Sequence, residues 1–98
     1  MAFGVLVLDM GALIDACRRE VGSVGAVAER LGVAPGRVSE LRAGRRKPRS
    51  SEILLMAEMA GLSPLMTLVE VQIALGGRHV EVWERVRARL IDAGRVDL

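Results

Sequence analysis

The chain has 98 residues, a formal net charge of +2 and one cysteine, and it is 51% hydrophobic but only 2% aromatic. That length accommodates one hydrophobic core and not two, and a lone Cys17 excludes an internal disulfide and fits a reducing cytoplasm. With almost no rings to bury, the core must be aliphatic, and the apolar residues recur with a helical period almost throughout, so the expected fold class is all-α.

Residues 1–8 (MAFGVLVL) are apolar but too few to span a membrane, and they lack the basic start and small-residue cleavage site of a secretory signal. They read as a start-site extension or as an arm that packs on a partner chain. A first helix is expected from Asp9, which can cap it, to Val21, with Leu13, Ile14, Cys17 and Val21 on its buried face. Ser23 can cap a second helix from Val24 to Leu31, which Gly32 ends. Pro35 suits the first position of a short third helix that closes at Ala43, with Gly44 as its stop.

A basic loop, Arg45-Arg46-Lys47-Pro48-Arg49, comes next. Ser50 or Ser51 is expected to cap a fourth helix through Ala60, and Ser63-Pro64 opens a fifth that runs to Leu75. Gly76-Gly77 breaks it. The last helix, His79 to Ala93 within a segment 78–94, carries Val80, Trp83, Val86 and Leu90 on one stripe, and Glu81–Arg85 is spaced to pair along it. That stripe has two readings: it covers the chain's own core, or it forms a dimer interface.

Charge is concentrated in one place. Between Pro35 and Ser50 stand Arg37, Arg42, Arg45, Arg46, Lys47 and Arg49 against Glu40 alone, so six cations less one acid make this stretch +5 and leave the remainder at −3. The cluster adjoins a specific pattern. Ala28 is small enough for two helices to cross closely, Gly32 four residues later suits a turn with positive φ, and Val38 six residues after that faces inward with Leu41. Val27, Leu31 and Val33 complete the apolar side, and this spacing is the helix-turn-helix signature.

From Ser23 to Leu75 the chain resembles the Cro/repressor-type helix-turn-helix proteins of phages and bacteria, on the stretch GSVGAVAERLGVAPGRVSELRAGRRKPRSSEILLMAEMAGLSP. More narrowly, AEMAGLSPLMTLVEVQIAL followed by the Trp83-Glu84 helix looks like small regulators of filamentous phages and related prophages. The resemblance implies a five-helix DNA-binding domain over residues 9–75, a recognition helix at 35–43 in the major groove, and a dimer acting on palindromic operator DNA as a repressor.

With Val38 and Leu41 inward, helical geometry turns Gly36, Ser39, Glu40 and Ala43 outward and leaves Arg37 and Arg42 on the flanks. The expected base readers are Arg37, Ser39 and Glu40. The expected phosphate binders are Gly36, Arg42, Arg45, Arg46, Lys47 and Arg49, with Ala34 unable to cap the helix and so leaving the Gly36 and Arg37 amides open to a phosphate oxygen. The rival is a helix-turn-helix used as a packing unit, an adaptor or antirepressor whose Gly36, Ser39 and Ala43 face meets a partner helix. An enzyme is not expected: His79 is the only histidine, no cluster offers nucleophile or metal-ligand geometry, and nothing calls for a cofactor or small-molecule ligand. RNA binding is disfavoured because neither aromatic, Phe3 nor Trp83, adjoins the basic loop.

Overall fold

A computed structural model describes residues 8–94, which are all-helical: α1 (Met10–Val21), α2 (Val24–Leu31), α3 (Pro35–Ala43), α4 (Ser50–Met59), α5 (Pro64–Leu75) and α6 (Val80–Asp92). The arm expected at residues 1–8 lies outside this range except for Leu8, which is partly buried against the core. Among the described residues there is no strand, and no helix is long and apolar enough to cross a membrane.

The helix starts follow local chemistry. The Asp9 carboxylate accepts from the Ala12 amide (2.8 Å) and the Ser23 hydroxyl from the Ala26 amide (3.0 Å), so α1 and α2 begin where a side chain satisfies an orphan donor. Ser63 does the same for α5, accepting from Met66 (3.4 Å). The fourth helix departs from expectation. Ser50 is its first residue rather than its cap, and Arg49 holds the cap position. The Glu52 carboxylate reaches back to accept from the Arg49 amide (2.7 Å), so a buried acid inside the first turn replaces the serine hydroxyls, which stay exposed.

The core gathers one face of each of the helices α1 to α5. Leu13, Ile14 and Cys17 of α1 meet Val27 and Ala28 of α2, Val38 and Leu41 of α3, Ile53 and Met56 of α4, and Val71 of α5. Fully burying an aliphatic side chain of this size contributes about 1.5–3 kcal/mol, so this cluster holds α1 to α5 in one body. Cys17 belongs to it as expected. Its thiol is buried, donates to the Met56 carbonyl (3.2 Å), and is pushed up to about 11 by desolvation. A thiol-specific reagent should therefore label Cys17 at the rate of global unfolding. Rapid stoichiometric labelling of the native protein would contradict this packing.

The sixth helix is attached differently. It packs on α5, and none of its residues is fully buried. Val80, Trp83, Val86 and Leu90 are its half-buried residues and the rest are exposed, so the predicted stripe is the side turned to α5. Along α6, no Glu81–Arg85 pair forms. The ion pair made by α6 is between helices: Arg87 reaches Glu70 of α5 (3.2 Å).

Candidate nucleic-acid interface

The path into α3 is set by α2. Gly32 takes φ 75°, its amide donates to the Glu29 carbonyl (3.1 Å), and the Val33 amide donates to the Ala28 carbonyl (3.0 Å). This closure needs a left-handed residue, which glycine adopts without steric penalty. Ala28 is 1% exposed, enclosed in the core beside this turn. Pro35 then opens α3 at a position where its missing N–H costs nothing. Val38 and Leu41 are each 1% exposed, as helical geometry required.

The opposite side of α3 is open. Gly36, Ser39 and Ala43 are exposed, and a Cβ added at Gly36 would meet nothing within 4 Å. Ala34 provides no side-chain cap. The Arg37 amide, however, is not open to a ligand: it donates to the Ala34 carbonyl at 3.0 Å. Of the two amides expected to be available for phosphate, only that of Gly36 remains.

The flanking arginines depart furthest from expectation. Arg37 forms a two-pronged pair with Glu52, Nε to Oε2 at 2.7 Å and Nη2 to Oε1 at 2.8 Å. Glu52 is 4% exposed and lies on α4. The hydrogen bonds from Arg37 hold its carboxyl below the ordinary range against the opposing effect of burial, and the same pair raises Arg37. Arg37 is thereby committed to Glu52 on α4, which takes it out of the expected base-reading set. Arg42 pairs with Asp15 of α1 through Nη1 to Oδ1 and through Nη2 to Oδ2 (3.1 Å), with the Gly11 carbonyl at 3.5 Å from Nη1. It clamps α3 to α1, lowers the Asp15 carboxyl, and is not a free phosphate binder.

What remains available is the loop after α3. Arg45, Arg46, Lys47 and Arg49 are all exposed. Neither Arg45 nor Lys47 has an acidic partner among the described residues, and Arg49 has only a long approach to Glu52 (3.9 Å). Arg46 places Nε 3.5 Å from Glu40 Oε1. Among the expected readers, then, Ser39 and Glu40 share the outer face of α3, and the structure adds Arg46 beside them.

Sequence reasoning missed the two acids that organise this surface. Glu52 carried a usable signal, since an acid three residues after a helix start is half of a capping box. Asp15 carried none beyond its place on the polar side of α1. No buried side-chain polar atom among the described residues lacks a partner. Comparison of the chain with family models, with curated proteins and with solved structures finds no match in any of the three.

Proposed function

We propose that the chain is a sequence-specific double-stranded DNA-binding transcriptional regulator, a cytoplasmic repressor of phage or prophage type. In this reading α1 to α5 form a repressor-like helix-turn-helix domain, and α3 lies in the major groove. One observation carries it: α3 is anchored by its inner face and both flanks, bares a face of small residues, and runs directly into a loop of exposed cations. Small residues let a helix approach the groove floor, and the loop is placed to grip backbone on either side. Supplying phosphate contacts from the loop rather than from α3 leaves the helix free for bases.

A homodimer is part of the proposal. The α5–α6 ridge leaves Val80, Trp83, Val86 and Leu90 only half covered, with Val82, Ile91 and Leu75 exposed beside them (40%, 51% and 42%). A second copy on this ridge would cover what α5 leaves in water. The rival adaptor reading draws on the same bare face of α3, which would also suit a partner helix.

Selection of bound sites from random duplexes tests the proposal. The expected outcome is a two-fold symmetric consensus with half-sites about 34 Å apart, together with a dimer by sedimentation at tens of micromolar. Failure to retain any duplex at low salt would remove the DNA-binding reading and leave the adaptor.

A further inference from the structure

The side chains able to distinguish bases are few. Gly36 and Ala43 have no donor, Ser39 is short, Arg37 is held by Glu52, and Arg42 is held by Asp15. Arg46 is placed differently by the end of α3. Gly44 takes φ 78°, the Arg45 amide donates to the Glu40 carbonyl (2.9 Å), and the Gly44 amide to the Leu41 carbonyl (3.2 Å). These bonds fold the chain back over the last turn. A residue three positions beyond the helix end is thereby brought beside one inside it, and Arg46 Nε lies 3.5 Å from Glu40 Oε1.

Both side chains are well exposed, 63% and 40%, so the pair adds little stability. Its effect is on the charge and direction of the groove-facing surface. Glu40 is the only acid between Pro35 and Ser50, and unpaired it would repel phosphate. Arg46 offsets that charge, and Glu40 attracts the guanidinium toward α3 without a hydrogen bond between them. The two terminal amino groups have no acceptor among the described residues.

We infer that Arg46, oriented by Glu40, reads a guanine edge in the major groove through its terminal amino groups. The inference rests on the DNA-binding reading above. It makes Arg46 a specificity-determining residue rather than one more backbone contact, and Glu40 its positioning residue. The fork is needed for two parallel bonds to guanine O6 and N7, which a lysine cannot make.

The test is binding-site selection and titration with the parent and four variants: Arg46→Ala, Arg46→Lys, Glu40→Ala and Lys47→Ala. The parent should prefer guanine at one position per half-site by about 5- to 150-fold, the range for a two-pronged contact. Arg46→Ala and Arg46→Lys should lose that preference, and Arg46→Lys should keep the parent's salt dependence. Glu40→Ala should lose preference at the same position while binding unrelated DNA more tightly, because an anion has left the phosphate-facing surface. Lys47→Ala should weaken binding to all sequences alike and keep the consensus. If Arg46→Ala keeps every parental preference and behaves like Lys47→Ala, Arg46 grips only backbone and the inference is overturned. If the parent itself enriches no sequence, the specific-binding reading falls together with it.

Discussion

Glu52→Ala should destabilise the protein by about 1.5–3 kcal/mol, the usual worth of hydrogen bonds to a charged group, because Glu52 is buried but its partner Arg37 is only partly so. The truncation strands the Arg37 guanidinium, whose side chain is only 22% exposed, and also removes the acceptor for the Arg49 amide. For a chain of this size such a loss lowers Tm by roughly 10–15 °C, and it is a substantial part of the about 5–15 kcal/mol that stabilises a typical domain. Glu52→Gln should lose less, since its amide oxygen can still accept one of these bonds. Replacing both partners with apolar residues, Arg37→Met with Glu52→Leu, should recover most of the loss, because no buried charge is then left alone. Urea denaturation of the three variants measures this. An unchanged midpoint in Glu52→Ala would mean that the pair does not hold α3 to α4.

The same pair predicts the shape of the acid limb. Arg37 holds the Glu52 carboxyl below its ordinary value in the folded chain, so the unfolded chain takes up the proton first as pH falls. The stability this group contributes is complete above the ordinary glutamate range, about 4.3, and is lost as pH falls through the folded value. Asp15, lowered by Arg42, acts in the same direction. Glu52→Gln should flatten that part of the acid limb.

On the DNA-binding reading proposed above, converting Arg45, Lys47 and Arg49 together to Gln should produce the largest change in DNA binding. With Arg37 and Arg42 committed to acids and Arg46 beside Glu40, these three are the exposed loop cations left to track the backbone. In the proposed dimer, three phosphate contacts per subunit would give a log–log salt slope of about −5, so the parent should lose on the order of 10³ in affinity between 50 and 200 mM salt. The triple variant should bind weakly at low salt and show little further loss across that range. Its fold should be unchanged, because none of the three side chains enters the core. A parental slope in the triple variant would show that the counterions are released elsewhere.

The six helices were legible in the sequence because what starts, stops and turns them acts over four or five residues. Asp9, Ser23 and Ser63 cap as their types require, and Gly32 and Gly44 occupy left-handed turns that glycine adopts most readily. The inward turn of Val38 and Leu41, and with it the outward face of Gly36, Ser39 and Ala43, followed from helical period alone. The roles of the arginines did not follow. Periodicity assigns Arg37 and Arg42 to the flanks of α3 and goes no further, because a flanking cation can meet an acid from a neighbouring helix as readily as a phosphate. Which of these happens depends on how α1 and α4 are laid against α3. That packing brings Glu52 to Arg37 across 15 residues of sequence and Asp15 to Arg42 across 27. Short-range hydrogen bonding made the helices readable in advance, whereas the sorting of six like charges into clamps and free cations is a long-range electrostatic outcome that only the assembled core decides.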